Sequence, residues 1–185
     1  MPKILHYAEE VEIPENVNVE ILGKKIKVKG PKGELEKDFS HVRHVIIRSE
    51  NNRVIVETYF ANRKNKACVG TIASHIKNMI TGVTKGYRYK LKIVYSHFPI
   101  SVKVQGKKII IENFLGERAP RITKIYGDDV TVRVEGDDVI VEGINIEHVG
   151  QTAANIESVA RVKKYDPRVF MDGIYIYERG VMEEE

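Results

Sequence analysis

Arg161-Val-Lys163-Lys164-Tyr165-Asp-Pro-Arg168 sets four cations against one acid, with an aromatic ring among them. That mixture suits a nucleic acid. Cationic side chains meet phosphates and release counterions, and an aromatic ring offers a face on which an exposed base can stack. The periodicity places these cations in the last turn of a helix and the loop beyond, where steadying the helix C-terminus is a competing role. Lys85-Gly-Tyr87-Arg88-Tyr89-Lys90-Leu-Lys92 repeats the mixture with four cations and no acid. There a solvated strand with tyrosines in the core accounts for the pattern equally well. Lys24, Lys25, Lys27, Lys29 and Lys32 surround the turn Gly30-Pro31-Lys32-Gly33. Backbone N–H groups of a Gly-rich turn can approach an anion, but an exposed lysine hairpin explains the same residues.

Other chemistries find less support. His41 and His44 are flanked by the strand-like residues Val42 and Val45-Ile46-Ile47, without a further His or Cys to complete a metal site, so they read as surface residues. Asp128-Asp129 and Asp137-Asp138 could be paired carboxylates, yet both fall at strand turns, which aspartate favours. The Gly-x4-Gly-Lys-Ser/Thr phosphate loop and the Gly-x-Ser-x-Gly elbow are missing. Cys68 is the single cysteine and reads as a packing residue, which excludes a disulfide framework. Nothing here argues for catalysis, a cofactor, a metal or a small-molecule substrate.

No apolar run approaches the ~20 residues that span a bilayer, and the N-terminal residues lack a secretory leader, so a cytoplasmic protein without a membrane partner is expected. The net charge of +4 is modest. Its distribution is more telling: residues 85–185 hold 16 Lys/Arg and 16 Asp/Glu, but 128–142 alone holds six acids and one Arg. That segregation predicts a basic face and an acidic face.

The elements that must position these groups occur twice. Gly23-Lys24-Lys25-Ile26 returns as Gly106-Lys107-Lys108-Ile109, and Val54-Ile55-Val56-Glu57 as Val139-Ile140-Val141-Glu142. Ile13-Pro14 is matched by Phe98-Pro99, Gly33-Glu34 by Gly116-Glu117, and Gly70 by Gly150. A repeat of this length implies two similarly folded domains, here 1–84 and 85–185. Alternation in Val17–Ile21, 26–29 and 130–135 predicts antiparallel strands with one wet side. Asn51-Asn52 and Gly136-Asp137-Asp138 predict hairpin turns. Val69, Ile72, Ile76, Met79, Ile80 and Val83 predict a helix stopping at Gly82. Val149, Ala153, Ile156, Val159 or Ala160, and Val162 predict a second, bounded by Asp166-Pro167. The fold class is α+β: two tandem duplicated domains, each an antiparallel sheet with one face covered by a helix. Residues 170–177 form a last extended segment, and Glu183–Glu185 an acidic tail.

Arg168-Val-Phe170-Met-Asp172-Gly173-Ile174-Tyr175-Ile176, followed by Glu178-Arg179-Gly180, resembles the C-terminal signature of the large-subunit ribosomal protein six family. The resemblance is to the archaeal and eukaryotic branch, whose eukaryotic member is called protein nine. Val28-Lys-Gly30-Pro31-Lys32-Gly33-Glu34-Leu35 is similar to that family's first-domain turn, so the likeness covers nearly the whole chain. It departs at Ser158, where the signature carries Gln, and at Tyr165, where it carries a basic residue. The resemblance implies a structural component of the large ribosomal subunit that binds large-subunit rRNA near the sarcin–ricin loop and stalk base. Neighbouring large-subunit proteins are the other implied partners. The signature residues carried over are Arg168, Phe170, Asp172, Gly173 and Tyr175, with Phe170 and Tyr175 able to pack on the sheet. Lys163, Lys164 and Arg168 are the foremost phosphate contacts, and Tyr165 a stacking or sugar contact. Asp172 and Gly173 complete the set, with Arg118 and Arg121, after Gly116, ranked behind them. Two further classes stand beside this reading: a protein-interaction module using the 128–142 acids, and an enzyme using a groove between domains.

Overall fold

The computed structural model describes residues 4–163, 165, 166 and 168–182. Two compact units divide the chain after Lys85. In the first, strands β1 (Ile4–Glu12), β5 (Ile46–Glu50) and β6 (Arg53–Ala61) form one antiparallel sheet, with β6 central. Strands β2 (Asn18–Leu22), β3 (Lys25–Gly30) and β4 (Gly33–Asp38) form a second, and α1 (Arg63–Thr84) follows. The second unit repeats this order. Strands β7 (Tyr87–Val94), β11 (Val130–Glu135) and β12 (Asp138–Gly143) form one sheet, and β8 (Ser101–Gln105), β9 (Lys108–Glu112) and β10 (Arg121–Lys124) the other. Helix α2 (Ile146–Val159) follows. A last strand, β13 (Gly173–Val181), pairs with the far edge of β7 and has no counterpart in the first unit.

The α+β duplication is thus present, with the strands of each unit divided between two sheets. The divided sheets share one core because the repeated apolar pairs face inward. Ile26 and Val28 of β3, Val54 and Val56 of β6, and Val69 and Ile76 of α1 are fully buried together. Their counterparts Ile109, Ile111, Val139, Val141, Val149 and Ile156 do the same in the second unit. Each such side chain contributes about 1.5–3 kcal/mol by leaving water. Asn51 and Asn52 both adopt positive φ in the β5–β6 hairpin, as a tight two-residue turn requires.

Two helix ends differ from expectation. Gly82 lies buried within α1, and the chain leaves the helix at Lys85, whose N–H donates to the Thr81 carbonyl at 2.8 Å. Gly86, at φ +79°, supplies the left-handed residue just past that end. Helix α2 stops at Ala160, well before Pro167, so Val162 and the cations beyond it lie outside the helix. Among the described residues no helix is long and apolar enough to cross a membrane.

Candidate nucleic-acid interface

The end of α2 is held by a side chain. Arg121, at the start of β10, donates from Nη1 to the carbonyls of Val159 (2.8 Å) and Arg161 (2.9 Å). Its Nε and Nη2 form a fork on the Glu117 carboxylate at 2.8 and 2.7 Å, and the guanidinium lies 4.0 Å from the Phe114 ring centroid. Phe114–Gly116 is a single 3₁₀ turn, with Asn113 and Leu115 left-handed on either side of Phe114. Two otherwise unsatisfied carbonyls at the helix end therefore receive a planar cation whose direction is fixed by a carboxylate and a ring.

The chain beyond that clamp is tied at several points. The Asp166 carboxylate accepts from the Arg168 N–H at 2.9 Å, and its carbonyl accepts from Val169 and Phe170, both at 3.0 Å. The rings of Tyr165 and Phe170 meet with centroids 4.7 Å apart. Asp172, only 3% exposed, accepts from the Ser96 N–H at 3.0 Å. Tyr175 folds back over Gly173, donating to the Met171 carbonyl at 3.2 Å. The described residues of this stretch, 161–163, 165, 166 and 168–172, thereby form a tethered loop on the second unit.

Lys163 and Arg168 are exposed, and among the described residues neither has a carboxylate within ion-pair distance. Arg118 and Arg161 are likewise exposed without an acid partner among those residues. Tyr165, 56% exposed, borders two shallow recesses. One of about 300 Å³ is lined by Leu115, Glu117, Arg121, Lys163 and Tyr165. The other, about 150 Å³, adds His97, Phe98 and Phe170. A loop of this kind offers cations to phosphates and an aromatic face to a base or ribose.

The expected site residues thus divide. Lys163, Tyr165 and Arg168 share one loop, with Arg118 in a neighbouring connection. Lys164 lies outside the described residues. Arg121 is not a free phosphate contact: only 17% of its side chain is exposed, and its donors are committed to the helix end. Asp172 is 3% exposed, with its carboxylate accepting from the Ser96 amide, and it lines the floor of the smaller recess beside Tyr165. Gly173 is buried beneath a tyrosine ring. Phe98 was not anticipated here. The repeat shows only that Phe98 stands where the first unit has Ile13; the structure adds that Ile13 is buried and Phe98 half exposed.

The basic and acidic stretches do not form separate faces. β7 and β12 lie side by side, so Arg88 meets Glu142 (2.6 Å) and Lys92 meets Asp138 (3.3 Å). Lys90 meets Glu178 of β13 at 3.0 Å. Tyr87 is buried, and Tyr89 packs against the core. Asp128 pairs with Lys107, and Asp129 with His148 and the Asn145 amide. The 85–92 stretch is therefore a structural strand, and four acids of 128–142 have internal partners: Asp138 and Glu142 within the sheet, Asp128 on Lys107 and Asp129 on His148 of α2.

Comparison with known proteins agrees over almost the full length. The model of the ribosomal protein L6 family matches residues 13–86 and, a second time, 98–173. The large ribosomal subunit protein uL6 of Staphylothermus marinus is 65% identical over 187 residues, spanning 100% of both chains. Its namesake in Aeropyrum pernix is 60% identical over 182 residues, covering 98% of this chain and 100% of its own. That of Methanosphaera stadtmanae is 54% identical over 185 residues, again 100% of both.

Proposed function

Because the chain belongs to the ribosomal protein L6 family, we propose that it is a structural, non-enzymatic component of the large ribosomal subunit in the cytoplasm. It holds folded rRNA through the tethered loop of its second unit. That Lys163 and Arg168 have no acid partner among the described residues carries this reading, since nearby strand cations are consumed by internal acids. The family resemblance supports a position near the sarcin–ricin loop and stalk base, among neighbouring large-subunit proteins. In domain terms, 1–84 is the first α+β repeat and 85–185 the second, with the rRNA-binding segment at its C-terminal end. Arg121 and Asp172 act through position: they hold the loop so that Lys163, Tyr165 and Arg168 meet RNA already arranged. Recognition then reads backbone shape more than sequence.

Lys163→Ala combined with Arg168→Ala tests this. The folded content by circular dichroism should be unchanged, while affinity for a large-subunit rRNA transcript falls and the slope of log affinity against log salt flattens by about two. A slope equal to that of the unaltered protein would refute the placement.

A further inference from the structure

The outer face of the β8–β9–β10 sheet carries cations in an arrangement the fold alone does not favour. Lys103 faces Ile110 across the ladder, and Ile110 faces Ile122. In the next row Gln105 faces Lys108, and Lys108 faces Lys124. Like charges directly opposite each other destabilise a sheet, yet Lys108 and Lys124 are exposed with no acid partner among the described residues. Ile122 beside them is 55% exposed. Glu112 is the one acid on this face, and it pairs with Lys103 at 2.7 Å. The corresponding face of the first unit is self-compensated: Lys25 pairs with Asp38, and Lys27 and Lys29 with Glu34.

We propose that this face, centred on Lys108 and Lys124, is a second rRNA contact that grips a phosphodiester backbone apart from the 161–168 loop. The proposal rests on the rRNA-binding function and adds a surface to it. Charge complementarity selects the occupant: Lys108 and Lys124, opposite each other and without an acid partner among the described residues, gain most from a polyanion, with the Gln105 amide beside Lys108 available to its sugar hydroxyls. β10 links the two surfaces, because Arg121 at its start clamps α2 while Ile122 and Lys124 point outward.

Charge reversal separates binding from folding. Lys124→Glu places an acid opposite Lys108, the pattern used in the first unit, so the thermal midpoint should hold or rise. Affinity of the full chain for the rRNA transcript should nevertheless fall roughly tenfold, with the salt slope flattened by about one or more. Lys108→Glu should behave alike, and the neutral Lys124→Gln carries the test should a reversal fail to fold. Wild-type binding by the sheet variants, alongside weakened binding by Lys163→Ala/Arg168→Ala, would overturn the second contact and leave the function standing. Wild-type binding by every variant would overturn both. Unchanged RNA binding with lost incorporation into reconstituted large subunits would assign the face to an acidic protein instead.

Discussion

In the first unit Lys25, Lys27 and Lys29 of β3 face Asp38, Glu36 and Glu34 across the ladder. At the same place in the second unit, Ile110 faces Ile122 and Lys108 faces Lys124. The hairpins also differ in how they reach their helices. In the first, a two-residue turn brings the Lys32 N–H to the Val83 carbonyl at 2.9 Å, near the end of α1. In the second, the longer connection 113–120 removes that backbone contact, and the Arg121 side chain holds the end of α2 instead. Matching strands thus support different surfaces. One copy pairs the cations of its hairpin and closes its helix end by backbone, while the other spends a side chain to secure a tethered loop and leaves Lys108 and Lys124 without an acid partner among the described residues.

The sharpest way to break this contrast is Arg121→Ala. It leaves the Val159 and Arg161 carbonyls without this donor and removes the fork on Glu117, at a cost of about 2–4 kcal/mol. Hydrogen exchange should quicken in α2 and 161–172 but not in α1. Equal quickening in both helices would deny a clamp local to the second unit. Lys at this position should rescue only part of the loss, because an ammonium cannot reproduce the fork.

Gly30→Ala probes the first unit's solution. A Cβ there would lie 2.7 Å from Val83 Cγ2 and 2.9 Å from its carbonyl oxygen, both on α1. The hairpin must withdraw from the helix, at about 1–3 kcal/mol. Protection should fall in α1 and the β3–β4 turn, and the Lys32 amide should exchange faster. An unaffected urea midpoint would show that the close approach is dispensable.

The two units also share a paired carboxylate on the strand preceding the helix, buried in the first and partly exposed in the second. Glu57, 3% exposed, meets His6 at 2.9 Å and Arg48, whereas Glu142 meets Arg88 and Arg133. The hydrogen bond from His6 is the largest cause holding the Glu57 carboxyl below its ordinary value of 4.5, with Arg48 adding to it against the opposing effect of burial. A depressed folded-state pKa stabilises the protein fully above the ordinary value, and the gain disappears as pH falls through the lower folded value. The first unit should therefore lose protection as pH drops below about 4.5. Glu57→Gln should be less stable at neutral pH and show a shallower acid loss in β1 and β6. Parallel acid profiles for the two proteins would sink this assignment.

Much of this organisation was legible in the residues because hydrophobic period and turn chemistry are local. Ile26 and Val28 recur as Ile109 and Ile111, and Asn51-Asn52 and Gly136-Asp137 close the hairpins expected of them. The helix ends were less legible. Gly82 is a poor helix residue, but burial against the core overrides propensity, and the left-handed residue that ends α1 is Gly86. The charge pattern misled for a related reason. Segregation along the chain says nothing about strand partners, and the ladder sets Arg88 against Glu142 across 54 positions. Arg121 could not be separated from free cations such as Arg118 because its partners lie 38 and 40 residues away.

That same ladder yields the smallest expected effect. Lys90 belongs to the most basic stretch of the second unit, where sequence alone leaves phosphate contact and a solvated strand equally open. In the fold it pairs with Glu178, which holds its ammonium above the ordinary lysine range, first through that hydrogen bond. A cation already matched to an acid releases few counterions when RNA arrives, because binding must first break or share the existing pair. Lys90→Ala should therefore leave the salt slope changed by much less than the ~1 unit expected of a true phosphate contact. Lys163→Ala should give the full unit. Equal slopes for the two variants would mean that internal pairing does not decide which cations meet RNA, and the difference between strand and loop would lose its physical basis.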